Sequence, residues 1–193
     1  MMKKLMTVCL VLIMVLSMVA CGKKAEENPT VPDAPAAEVP GSALEILENV
    51  WALYSDDEKF PVMGGDANNM VDGAPGAFGL EDADMATYQL LVPAEELANI
   101  DEAASLFHGM MLNNFTCGVF HVTGDADAFA AVMVNAVKNN QWMCGMPETM
   151  HVSVIGGEYV LMAFGINDAM NPFTAKLAEA YPDAVTVANE SIA

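Results

Sequence analysis

The chain has 193 residues, 54% of them apolar, and carries 26 Asp and Glu against seven Lys and no Arg. That length and apolar fraction predict one ordinary packed domain and exclude global disorder. From Cys21 onward five lysines face all 26 carboxylates, a balance of −21, which excludes nucleic-acid binding, because phosphate contacts need a basic face. The simplest role for so much negative charge is solubility.

Residues 1–20 read as a lipoprotein signal peptide. Met1-Met2-Lys3-Lys4 is a charged start, Leu5 to Leu16 is an apolar run too short for a comfortable span, and Ser17-Met18-Val19-Ala20-Cys21-Gly22 resembles a bacterial lipobox. The resemblance implies diacylglycerol on Cys21 and cleavage before it, so the partner expected first is the membrane, reached through that lipid on the extracytoplasmic face. Each buried acyl CH₂ contributes about 0.8 kcal/mol to such an anchor. Residues 21–41, with four prolines among alanines and charges, predict an extended linker.

Residues 42–193 then form the domain. Ser42 followed by Glu45 has capping-box spacing, and Leu44, Leu47, Val50, Trp51 and Tyr54 predict one apolar helix face. Asp66 to Gly73 superficially suggests a calcium loop. Met70 and Ala77 stand where oxygen ligands are needed, so the pattern fails and a solvated loop is expected. Met85 to Val92 reads as a strand, Pro93 to Leu97 as a short helix, and Asp101 to Leu112 fits either a helix or irregular chain.

The centre of the domain is Phe115 to Phe164. Phe115–Val122 is a strand apolar on both faces. About Asp125 to Asn140 is a helix, with Phe129, Val132, Met133, Ala136 and Val137 on one stripe. Met150–Ile155 and Tyr159–Phe164 are strands joined through Gly156-Gly157, which supply the positive φ of a tight turn. Asn167 or Asp168 is expected to cap a final helix running to about Ala180, and an edge strand follows from Ala184 to Val187. The fold class expected is α+β: a small antiparallel or mixed sheet packed by helices, with a strand–helix–strand–strand–helix core.

The candidate chemistry lies in Met143, Cys144, Met146, Met150 and His151. Thioether, thiolate and imidazole are ligands preferred by soft ions such as Cu(I). If the strands at Phe115 and Met150 are parallel, Cys117 and Cys144 lie toward the same end of the sheet. They then form a disulfide, share a metal, or remain free thiols, and the sequence leaves all three open. His121 falls at the opposite end from His151. The 16 methionines are spread along the chain, which makes core filling the competing explanation for any local cluster. No nucleophile–base signature, phosphate cradle or environment for a raised carboxylate appears, so no catalytic residue, cofactor or enzymatic activity is expected.

Val119-Phe120-His121-Val122, the helix from Asp125 to Lys138, and Gly157-Glu158-Tyr159-Val160-Leu161 followed by Asn167-Asp168 together resemble a family of small Gram-positive lipoproteins, domain of unknown function 4358. The resemblance spans roughly Leu90 to Tyr181. It implies the same plan of lipobox, linker and single domain, and carries no catalytic signature. The function expected is therefore a membrane-anchored extracytoplasmic domain that binds or scaffolds an unknown protein or small molecule. Soft-metal or small-ligand binding through residues 143–151 is the alternative.

Overall fold

The computed structural model describes residues 40–192. The expected signal segment, Cys21 and the linker up to residue 39 lie outside them.

Eight strands form one sheet, antiparallel at every pairing, with helices on both faces. The strands are β1 (Val62–Gly64), β2 (Val71–Asp72), β3 (Gly76–Ala77), β4 (Ile100–His108), β5 (Phe115–Val122), β6 (Thr149–Ile155), β7 (Tyr159–Gly165) and β8 (Val185–Ser191). Their order is β2-β1-β4-β5-β7-β6-β8, with β3 also paired to β4. The helices are α1 (Ala43–Ala52), α2 (Ala83–Leu90), α3 (Ala126–Asn139) and α4 (Asn167–Ala180). The expected α+β core is present as β5-α3-β6-β7-α4.

Strands β5 and β6 each pair antiparallel with β7 and are therefore parallel to one another. A crossover helix between parallel strands leaves a gap of one strand here, and the Gly156-Gly157 hairpin fills it. Both glycines have positive φ, 62° and 81°, as a tight turn requires.

Because side chains alternate along a strand, the sheet builds two apolar layers. Phe115, Cys117 and Val119 of β5 face α1 and α4, against Leu47, Met170, Phe173 and Leu177. Phe120 and Val122 face the other way, with Met150, Val152 and Met162, against Phe129, Met133 and Val137 of α3 and Leu90 of α2. Burial on both faces explains why β5 and β7 are almost uninterruptedly apolar.

Three expectations are corrected. Met85 to Val92 is not a strand: Asp82 caps α2 through a bond from the Met85 N–H at 3.0 Å, and Ala86 and Leu90 are buried one turn apart. Tyr88, which alternation would place beside Leu90, instead points to solvent and is 71% exposed. Asp101 to Leu112 resolves mostly into β4, buried on both faces from Ala103 to Phe107. No side chain of its own caps α4. The Glu148 carboxylate accepts from the Asn167 N–H at 2.7 Å instead, satisfying an orphan donor from the loop before β6.

A candidate sulfur and aromatic surface at one end of the sheet

Strand β4 ends, β5 begins and the α3–β6 loop arrives at the same end of the sheet. The chain leaves β4 through His108, whose Nδ1 accepts from the N–H groups of Met110 and Met111 at 3.2 and 3.4 Å. A 3₁₀ turn, Leu112–Asn114, then leads into β5. That turn lies directly on β7. A Cβ on Gly165 would stand 2.4 Å from the Asn114 carbonyl oxygen, and Ile166 N–H donates to that oxygen at 3.0 Å. Only a residue without a side chain allows this approach.

Asn113 reaches from the turn to the α3–β6 loop. Its amide donates to the carbonyls of Met143 and Gly145, each at 2.7 Å. Cys144 and Gly145 both have positive φ, 61° and 117°, and the chain bends there. The methyl of Met111 lies 3.9 Å from where a Gly145 Cβ would stand.

This end therefore exposes Met110 (83%), Met143 (75%), Met146 (51%) and Met111 (42%) beside the exposed thiol of Cys144. An adjoining open groove of about 200 Å³ is lined by Tyr88, Leu91, Asn140, Gln141, Trp142 and Phe164 among others, and no lining residue is charged. The Trp142 ring packs edge-on to Phe164 at 4.9 Å between centroids, and its Nε1 has no hydrogen-bond partner.

The residues singled out by sequence separate in space. Met143, Cys144 and Met146 stay together and exposed. Met150 is fully buried in the α3 layer. His151 alternates with it onto the α4 side, 6% exposed. The five-residue metal set is thus split, because consecutive strand residues point to opposite faces. Cys117 and Cys144 form no disulfide: Cys117 is buried beneath α1 and α4, whereas Cys144 stands on the loop in solvent. Burial pushes the Cys117 thiol well above its ordinary pKa. Among the described residues, no group of three or more His, Cys, Asp and Glu is placed to hold a metal ion. Met110 and Met111 were missed as members of the surface; the only signal was two adjacent methionines at the end of an ambiguous segment.

The histidines have different surroundings. His121 Nδ1–H donates to the Asp101 carboxylate at 2.5 Å, and that bond, with Glu158 and Glu102 nearby, raises its pKa. His151 is the third residue of β6, at the other end from His121, and registers with Ala163. Neither of its ring nitrogens has a hydrogen-bond partner. Burial lowers its pKa, with Asn189 opposite on β8 pulling the other way without reaching bonding geometry. Neither histidine hydrogen-bonds a serine, threonine or cysteine, so no activated nucleophile is assembled at either.

Asp66, which opens the calcium-like stretch, is 5% exposed. Desolvation raises its pKa, but N–H bonds from Gly79 (2.7 Å), Asn68 (2.7 Å) and Asn69 (3.1 Å) outweigh it and hold the pKa below the usual value. Its carboxylate closes the 66–79 loop on itself.

No family model, curated protein or solved structure matches the chain.

Proposed function

We propose that this chain is a membrane-anchored extracytoplasmic lipoprotein whose domain binds or scaffolds a partner through the sulfur and aromatic end of its sheet. Anchoring is supported by the lipobox-like Ser17–Gly22 sequence, which follows a charged start and a short apolar run. Binding is supported by one observation above the rest: Tyr88 and Met143 line an uncharged groove, and Met110, Met111 and Met146 are exposed on the loops at the same end of the sheet, on a domain of strongly negative charge. Methionine surfaces repack around different partners, and an exposed apolar cluster of this kind marks an interaction site more often than chance.

The anchor is tested by expressing wild type and Cys21→Ser in a Gram-positive host. Wild type stays with membranes and Cys21→Ser is lost from them; equal partitioning sinks the anchor. The surface is tested by placing a photo-crosslinking amino acid at position 88 or 110, and at Asp127 as a control. Since α3 starts where β5 ends, Asp127 lies at the opposite end of the sheet. Discrete adducts at 88 and 110 but not at 127 are expected. Identical patterns at all three positions would refute the assignment.

A second reading, soft-metal capture, is supported by the exposed half of the 143–151 loop, where the Cys144 thiol and the Met143 and Met146 thioethers are exposed within four residues of one another.

A further inference from the structure

We infer that the outer edge of β8 docks an extended, cationic segment of another polypeptide, which joins the sheet there as a further strand. This edge is separate from the sulfur and aromatic surface, and the inference does not depend on that surface.

The two margins of the sheet are built differently. One ends in β2, a strand of two residues, which is short enough to deny a partner a footing. The other ends in β8, seven residues long and paired only with β6 among the described residues. Ala188 alone of the seven is buried, and Val185 and Val187 are 62% and 41% exposed. Native edge strands are commonly closed by a lysine or a proline, and β8 contains neither. Its one irregularity is at Val187, between the Ala188–Val152 and Thr186–Ser153 pairs, and the strand pairs with β6 on both sides of it.

The backbone at this edge offers hydrogen-bonding groups. The Ile192 N–H donates to the Glu148 carbonyl at 3.0 Å. Bonded and unbonded pairs alternate in an antiparallel ladder. Counting from that bond, Glu190–Met150 is a bonded pair and Asn189–His151 is not. The N–H and C=O of Asn189 therefore point away from β6, where an added strand meets them.

Charge selects the occupant. From Ser42 onward three lysines face 22 carboxylates, a balance of −19. All three lysines are already in ion pairs: Lys59 with Asp56, Lys138 with Glu190 and Lys176 with Glu58. Asp183, exposed two residues before β8, is in none of the ion pairs among the described residues. A second copy pairing through β8 would bring two such negative domains together. A segment carrying lysine or arginine lowers the total charge instead, and β-branched residues between its cations pack beside Val185 and Val187.

The segment from Ser42 onward contains both apolar layers and every described strand and helix, so it is the unit to purify. The ¹⁵N-labelled domain is titrated with a capped peptide of alternating valine and lysine, seven residues long to match β8, and with its glutamate counterpart. Saturable shift changes concentrated at residues 185–190 are expected with the lysine peptide and not with the glutamate one. Asn189→Pro removes an outward N–H and no bond to β6, a position where edge strands accept proline. It should weaken binding about tenfold, the scale of one lost hydrogen bond. Val187→Lys, which places a cation on the edge and leaves every backbone group in place, should weaken binding by a similar factor and guards against misfolding of the proline variant. Shift changes spread over the whole domain, equal binding of the glutamate peptide, or unchanged affinity in both variants overturns the assignment. Dimerisation through β8 without peptide binding also overturns it, giving the edge to a second copy of this chain.

Discussion

The side-chain amide of Asn113 donates to the main-chain carbonyl of Met143 at 2.7 Å, joining two loops separated by 30 residues. Its second bond, to Gly145, makes one residue the clamp of the candidate site. Asn113→Ala removes both. A hydrogen bond contributes about 0.5–1.5 kcal/mol net, and water replaces part of that at an exposed loop. Global stability should therefore fall by about 1 kcal/mol or less, while amide exchange at residues 143–146 accelerates selectively. Unchanged exchange there would show that the clamp is not needed.

Gly165→Ala is expected to be much costlier. The added methyl meets backbone atoms of Asn114 and Phe115, the nearest at 2.4 Å, and backbone cannot rotate away as a side chain can. Overpacking of this kind costs about 1–3 kcal/mol, read as a lower denaturant midpoint. Met111 and Asn113 should shift with the displaced turn, visible as NMR shift changes concentrated at this end. A variant as stable as wild type would mean that the turn moves off β7 freely.

The buried histidine predicts loss of stability in mild acid. His151 has a lowered folded pKa, so the unfolded chain takes up its proton more readily. The stability it contributes is complete above the unfolded value, about 6.5, and is lost as pH falls through and below it. His151→Leu should flatten the decline in Tm between about pH 7 and 5. An equally steep decline in the variant would assign the effect to other groups.

His121 has the opposite sign. Its raised folded pKa means that the Asp101 pair stabilises fully below about 6.5 and that this share is lost as pH rises through the folded pKa. His121→Gln should therefore lose stability relative to wild type in mild acid and approach it at alkaline pH. A deficit independent of pH would show that only packing against Tyr159 was removed.

The thiols give a direct count. Cys144 is exposed and Cys117 is fully buried, so the native domain from Ser42 should react with one equivalent of a thiol reagent and the denatured domain with two. No reactive thiol before or after denaturation would mean that a bridge forms. Two equivalents in the native protein would mean that the layer under α1 and α4 opens readily.

Much of the core was legible because its signals are local. The 3.6-residue stripe of α3, the apolar run of β5 and the Gly156-Gly157 turn each need only neighbours in sequence to be read. Met85 to Val92 misled because eight residues that alternate roughly in polarity also place Ala86 and Leu90 one helical turn apart. The Asp82 cap and the approach of Leu90 to Gly118 of β5, 3.3 Å from where its Cβ would stand, decide for a helix.

The candidate site was half legible. Sequence picked out Met143, Cys144 and Met146 because they are contiguous, and contiguity then drew in Met150 and His151. Once the chain enters β6, alternation sends those two to opposite faces, beyond reach of the loop. Met110 and Met111 enter the surface only because β4 ends beside the α3–β6 loop.

By itself the sequence determined composition, charge, and which short segments favour helix, strand or turn. Those properties depend on residues within a turn or two of each other. The tertiary structure alone decided that Cys117 is sealed in one apolar layer while Cys144 stands in solvent, and that Asn113 joins two distant loops. The insertion of β7 between β5 and β6 sets those distances, and pairing between remote strands leaves no trace in local sequence.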